Sequence, residues 1–246
     1  MELKLQEVEC GPCPYLEGRE WRIEEFSALS LDPGLYEQLL GVGFRRSGRS
    51  FYRNTCVECG LCVPVRLDVE AYLPSKTLRR LTRLNSDLAL GVVEARFSQE
   101  CYELYARYKA ARHGGDDETF GRDPVRSYTS FLISSPFKTT CMTEYRLADG
   151  RLAATGYVDI LPKGISSVYF AFDPDLGHRS IGLWSVAREI ELARSLGKRW
   201  YYLGFWVPGS RKMDYKARFA PFEYAHNGVW TVAADREAAL AALGAS

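Results

Sequence analysis

Five of the seven cysteines in this 246-residue chain fall into two short runs, Cys10-x-x-Cys13 and Cys56-x-x-Cys59-x-x-Cys62. Two-residue gaps present thiols from tight loops, and soft thiolates in that pattern suit a zinc ion or an iron–sulfur cluster. Either centre takes about four ligands, so Cys10, Cys13, Cys56, Cys59 and Cys62 are the candidate metal ligands. Gly11, Pro12, Gly60 and Pro64 supply turns around such a centre. The plainer alternative is a group of reduced thiols packed around a core. An odd cysteine count argues against a disulfide framework. Cys101 and Cys141 stand alone in periodic segments and read as small buried hydrophobes. No run of 18 apolar residues occurs, and Met1–Glu7 lacks a signal-peptide core, so a cytoplasmic protein is expected.

The first part of the chain mixes short strands and helices. Trp21, Ile23 and Phe26 alternate with polar residues. Asp32-Pro33 opens a short helix, with Asp as N-cap and Pro at the first helical position. Residues 51–72 read as strands interrupted by the cysteine loop. Ser75 caps a helix to about Asp87, a strand follows over 88–97, and Ser98 caps another helix. Residues 113–123 read as an exposed loop, and Asp123-Pro124 starts one more short helix. In the second part, strands near 139–147 and 151–160 flank Asp149-Gly150, a hairpin signal. A strand over 166–172, a helix over 180–196 ended by Gly197, a strand over 199–207, a helical piece near 211–218 and a last strand near 223–233 complete the chain. The expected fold is α+β: an N-terminal cysteine-rich, basic domain over 1–97, and a second domain over 98–246 with a mixed, mostly antiparallel sheet.

Charge is uneven. The chain as a whole carries +1. Residues 45–83 hold nine Lys or Arg against three acids, a local +6 that leaves −5 for the rest. Lys76, Arg79, Arg80 and Arg83 share one face of the helix that starts at Ser75, with Leu78, Leu81 and Leu84 on another. Such a stripe, with Arg66 nearby, suits nucleic-acid phosphates, although most charge runs are merely solvated faces.

The order of elements in the second part resembles the second half of GNAT acyltransferases, which implies a GNAT-like sheet. Arg179-Ser180-Ile181-Gly182-Leu183-Trp184 lies where those enzymes hold the coenzyme A pyrophosphate on a small-residue turn at a helix N-terminus. Trp184 replaces the last small residue, so an acyl donor other than acyl-CoA is expected. Lys212-Met213-Asp214-Tyr215-Lys216-Ala217-Arg218-Phe219 places cations beside aromatics after a strand, a combination able to bind a carboxylate.

Taken together, Cys13-Pro14-Tyr15-Leu16, Gly43-Phe44-Arg45-Arg46-Ser47-Gly48, Tyr52-Arg53 with the Cys56–Arg66 run, and Leu203-Gly204 through Phe219 resemble the aminoacyl-tRNA–protein transferases. The resemblance spans about residues 8–231, and so extends the fold into the first part. It implies transfer of an amino acid from charged tRNA to the α-amine of proteins beginning with Asp or Glu, marking them for N-degron degradation. The triple-cysteine loop looks like the bacterial leucyl branch, whereas Cys10-x-x-Cys13 looks more like the arginyl branch, so leucine is favoured as donor with arginine as the alternative. On this reading Asp159 is the candidate base or amine-orienting group, and Tyr169 lines the site. Lys212, Tyr215, Lys216 and Arg218 bind the acidic acceptor, and Arg66, Lys76, Arg79, Arg80 and Arg83 hold tRNA. Two other classes fit parts of the sequence: a CoA-dependent N-acetyltransferase, and a non-catalytic RNA-binding metalloprotein.

Overall fold

The computed structural model describes residues 4–113 and 123–244. The loop expected over 113–123 lies almost wholly outside them. Two sheets form. A small antiparallel sheet has the order β1-β2-β4-β3, from β1 (Gln6–Pro12), β2 (Glu20–Ser27), β3 (Arg45–Ser47) and β4 (Ser50–Asn54). Helix α1 (Pro33–Gly41) joins β2 to β3, and the Asp32 carboxylate caps it by accepting from Leu35 N at 2.9 Å.

The large sheet has eight strands in the order β12-β11-β5-β10-β9-β8-β7-β6. Its members are β5 (Val63–Asp68), β6 (Ala89–Glu94), β7 (Thr140–Arg146), β8 (Leu152–Ile160), β9 (Gly164–Phe172), β10 (Trp200–Trp206), β11 (Phe222–His226) and β12 (Val229–Ala233). Only β9 and β10 pair in parallel. Helices α2 (Lys76–Leu84), α3 (Gln99–His113), α4 (Pro124–Tyr128), α5 (Ile181–Ser195) and α6 (Arg236–Leu243) complete the chain, with short 3-10 turns over Pro174–Arg179 and Asp214–Phe219.

The expected boundary at residue 97 does not divide the sheet. Strand β5, from the first part, sits between β10 and β11 and pairs with both, while β6 closes the far edge on β7. The expected strand near 223–233 is a hairpin, β11 and β12, turning on Asn227-Gly228, both at positive φ. That dipeptide is a strong two-residue turn signal. Helix α6 was not expected from the sequence.

The two sheets share core. Phe26, Leu31, Tyr36, Leu40, Phe44 and Phe51 from the small sheet and α1 pack in one cluster with Phe137, Leu161, Trp200 and Tyr202. A buried ion pair joins them as well. Arg46 of β3 grips Asp159 of β8 with two hydrogen bonds of 2.6 Å, and both side chains have no exposed surface. Thr140 donates to the same carboxylate at 2.6 Å, and its hydroxyl also bonds that of Ser135. Gly48, two residues on, has φ +60°, and a Cβ there would lie 2.1 Å from the Ser130 carbonyl oxygen, so the strand turn needs glycine.

Removing one partner of a buried pair strands the other charge, at about 3–5 kcal/mol. Asp159→Ala is expected to lower unfolding stability by about that amount, read by urea denaturation. An Arg46→Met, Asp159→Leu double variant should recover most of the loss, because the orphaned charge is gone.

Candidate active site

Strands β9 and β10 pair only from Trp200↔Gly164 to Tyr202↔Ser166. Beyond that point β9 continues to Phe172 and β10 to Trp206 with no further pairing between them. Strand β10 is irregular here, its register on β5 shifting between Tyr202 and Gly204. Strand β9 shifts against β8 between Tyr157 and Val158. The result is a wedge in the middle of the sheet.

Arg45 fills the base of the wedge. Its Nη2 donates to the Ser167 carbonyl at 2.6 Å, a bond that β10 does not supply. The Lys216 ammonium, from the 3-10 turn Asp214–Phe219, arrives at the same place. A Cβ built on Gly204 would stand 3.0 Å from Lys216 Nζ and 3.5 Å from Arg45 Nη2, and Gly204 has φ +93°. Glycine is therefore required twice over, by the backbone and by the cations above it. Arg45 and Lys216 are both buried, and neither has an acidic partner among the described residues. Burial first, and the Arg45 cation second, push the Lys216 ammonium down from 10.5 to about 7, while the Cys62 thiol acts the other way. Two buried cations without a counterion make a place for an anion.

Glu189 of α5 lies against β10. It is fully buried; Tyr201 OH donates to Oε2 at 2.6 Å, and Oε1 has no hydrogen-bond partner among the described residues. Burial raises this carboxyl from 4.5 to about 7, and hydrogen bonds from Tyr201 and Ser167 pull against it. A wall of rings borders β9: Tyr169 contacts Phe131, Tyr105 and Tyr108, with centroids 5.4, 5.6 and 6.5 Å apart.

The other residues singled out by sequence separate into several places. Asp159 is the buried partner of Arg46 rather than a group facing the wedge, with both oxygens held by the guanidinium. That is an anchoring geometry, not a proton-accepting one. Tyr169 is half-buried within the ring wall. Tyr215 and Lys216 turn inward, whereas Lys212 and Arg218 are exposed. Arg66 is pinned: its guanidinium lies between the rings of Trp200 and Trp230, 3.6 and 4.2 Å from their centroids, and pairs with Glu223 at 2.6 Å. Such a group is committed to the sheet. Lys76, Arg79, Arg80 and Arg83 are exposed along α2, which starts at a Ser75 cap as expected, and Leu78 and Leu81 are its buried face. Arg79 donates to the Pro74 carbonyl; no acid among the described residues pairs with any of the four.

All seven cysteines are free thiols. Cys101 is buried and Cys141 half-buried. Burial, then the neighbouring Cys59, Cys13 and Cys56, raises the Cys62 thiol to about 12; burial, then Glu25 and Cys56, raises Cys10. The five clustered thiols thus share one neighbourhood, but no group of three His, Cys, Asp or Glu among the described residues is disposed to hold a metal ion. As they stand they do not form a cage for zinc or an iron–sulfur cluster.

The Arg179 turn is occupied by packing. Arg179 donates to Asn85 Oδ1 at 3.0 Å and to the Leu84 carbonyl at 2.9 Å, and pairs with Asp87. Trp184 is buried edge-on against Tyr145. Residue typing missed Arg45, Gly204 and Glu189 as site residues. Arg45 and Gly204 stand inside the motifs Gly43–Gly48 and Leu203-Gly204; Glu189 carried no signal, since a lone acid on an apolar helix face looks like any other.

Parting central strands flanked by α5 define a GNAT-like acyltransferase fold. The solved structure of FemX superposes with a TM-score of 0.51, covering 98% of this chain and 90% of that one at 8% identity, a likeness of fold alone. Family models described as the N terminus and the C terminus of arginine-tRNA-protein transferase match residues 11–80 and 100–226. Among curated relatives, the aspartate/glutamate leucyltransferase of Saccharophagus degradans is 38% identical over 93% of this chain and 96% of its own length. Those of Marinobacter nauticus and Paramagnetospirillum magneticum are each 40% identical, over 89% and 86% of this chain and 91% and 86% of their own lengths. The chain belongs to the aminoacyl-tRNA–protein transferase family, and it is an aminoacyltransferase. No helix among the described residues is long and apolar enough to cross a membrane.

The low-lying Lys216 has a measurable consequence. The unfolded chain binds its proton between about pH 7 and 10.5 while the folded chain does not, so the burden on stability is full below 7 and disappears as pH rises. Unfolding of the wild type and of Lys216→Met, compared across that range, should show the wild type gaining on the variant with rising pH. A constant difference would mean that Lys216 keeps its ordinary proton affinity.

Proposed function

We propose that the protein transfers leucine from charged tRNA to the N-terminal amine of proteins that begin with Asp or Glu, in the cytoplasm, marking them for N-degron degradation. The observation that carries the reading is the pair Arg45 and Lys216 over Gly204, two buried cations with no described counterion at the base of the wedge. An acceptor with an acidic first side chain brings its carboxylate to this pair and places its α-amine beside the wedge. A neutral first residue leaves both cations unpaired, which is how a polar pocket rejects it.

The donor is already an activated ester, so the chain has to align ester and amine, remove a proton and steady the oxyanion. The ester fits the wedge between β9 and β10. The ring wall of Tyr105, Tyr108, Phe131 and Tyr169 suits an apolar side chain such as leucine; an arginyl side chain asks for a facing acid. Relatives bearing the name aspartate/glutamate leucyltransferase support the same donor and acceptors. The exposed basic face of α2 supports contact with tRNA phosphates. Engagement of Arg179 and burial of Trp184 speak for a donor other than acyl-CoA.

Incubation with Leu-tRNA or Arg-tRNA and peptides starting with Asp, Glu, Ala or Lys tests the reading, with products weighed by mass spectrometry. Leucine should appear on the Asp and Glu peptides only. A charged hydrogen bond contributes about 1.5–3 kcal/mol, so Lys216→Met should reduce transfer to acidic peptides about 10- to 150-fold and lower the acidic-to-neutral ratio. An unaltered ratio places carboxylate recognition elsewhere.

We also propose the cysteine neighbourhood as a metal centre, one that draws the 10–13 and 56–62 segments together when an ion binds. Protein purified without oxygen should then contain zinc or iron, and Cys59→Ser should lower both metal content and thermal stability. Metal-free protein of full stability and activity would reduce the cluster to packed thiols.

A further inference from the structure

A second site opens on the outer side of the turn that carries Lys216, where Arg211, Arg218 and Arg236 face Asp214, Asp235 and Glu237. Here a pocket of about 600 Å³ is bounded by residues 209–220 and the start of α6. Two of its three acids are already engaged. Asp214 accepts from Trp206 Nε1 at 2.9 Å and from Arg236 at 3.2 Å, and Asp235 caps α6 by accepting from Ala238 N at 2.8 Å. Glu237 stands 4.0 Å from Arg236. Arg211 and Arg218, by contrast, make no ion pair or hydrogen bond with a described residue. Ser210 also lines the pocket; it is 1% exposed, and its Oγ has no hydrogen-bond partner among the described residues. A buried hydroxyl left without a partner beside two uncommitted guanidiniums is a set of donors awaiting one acceptor group.

We propose that this pocket holds a phosphodiester from the unpaired 3′ end of the donor tRNA. The inference rests on the transferase reading and adds a subsite to it. Residues of one short turn face opposite ways: Lys216 inward to Gly204 and the wedge, Arg218 outward to the pocket. A strand end laid along the turn places a phosphate between Arg211 and Arg218 while its terminal ester reaches the wedge. The guanidinium fork matches phosphate oxygens, and the Ser210 hydroxyl supplies a further donor. Arg218 is thereby moved from the acidic acceptor to the donor.

The test uses the full chain and a 5′-phosphorylated cytidine–cytidine–adenosine trinucleotide, followed by calorimetry over a salt series. Inorganic phosphate, an Asp-starting peptide and whole uncharged tRNA are the parallel probes. Arg211→Ala and Arg218→Ala should each weaken the trinucleotide about 10- to 100-fold, and each should flatten its log–log salt slope by about 0.7. Ser210→Ala should weaken it less, and peptide affinity should stay unchanged. Arg79→Ala with Arg83→Ala should weaken whole tRNA and spare the trinucleotide. Both arginine variants are at exposed positions, and circular dichroism checks their fold. Unchanged trinucleotide affinity in both overturns the proposal, as does a loss confined to the peptide or phosphate bound as tightly as the trinucleotide. Failure of the transferase reading looks different: the wild type then binds the trinucleotide but moves no amino acid from charged tRNA to any peptide.

Discussion

The Arg46–Asp159 pair is the constraint on which the rest of the structure depends. It crosses from the small sheet to the large one with no exposed surface on either side chain. Taking two charges out of water costs several kcal/mol per ion, and the attraction between them offsets that only when geometry and remaining hydrogen bonds are good. Both conditions hold: the fork is bidentate, and Thr140 gives the carboxylate its third hydrogen bond. Such a pair does not tolerate displacement. A small shift between the sheets would break two short bonds in a region without water to replace them. The neighbour in sequence benefits. Arg45 leaves the same three-residue strand as Arg46, so fixing Arg46 also fixes where Arg45 enters the wedge.

The wedge runs on the opposite logic. Arg46 has a counterion and Arg45 has none among the described residues; the first is structural for that reason and the second available. Lys216 shows the energetic consequence, its proton held far more weakly than an exposed lysine holds its own. A chain selected for stability alone would pair these cations or replace them with apolar groups. Gly204 makes the close approach feasible, since its backbone stands at φ +93° and a Cβ there would crowd the Lys216 ammonium at 3.0 Å. Unsatisfied charge concentrated at parting strands is thus an energetic cost, of the kind that a bound anion relieves.

Local signals were legible where local chemistry decides. The Asp32 and Ser75 caps, the Asp149-Gly150 hairpin and the amphipathic α2 are settled by neighbours within four residues, and each stands where the pattern put it. The GNAT-like order of the second part was likewise readable. The insertion of β5 between β10 and β11 was not, because nothing in 63–68 says which strands it will meet. Arg66 illustrates the limit. In sequence it belongs to a basic stretch; in space two tryptophans from residues 200 and 230 and an acid at 223 close around it. Asp159 is similar: a carboxylate ending a strand near the expected site reads as chemistry until its partner, 113 residues earlier, is known. The Asn227-Gly228 hairpin is the exception, a local signal that was present and passed over.

Strand β5 also explains why a cysteine-rich loop lies near the candidate active site. It runs antiparallel to β10, pairing Val63 with Trp206 and Asp68 with Trp200. Cys62 therefore ends its loop at the same end of these central strands where β10 gives way to the turn bearing Lys216. The two groups are neighbours: burial and then Arg45 lower the proton affinity of Lys216, and Cys62 acts the other way. The thiol cluster and the cation pair are thus not independent sites placed on one chain. Topology sets them in one neighbourhood, where the proton on Lys216 is governed first by burial and then by the arginine beside it.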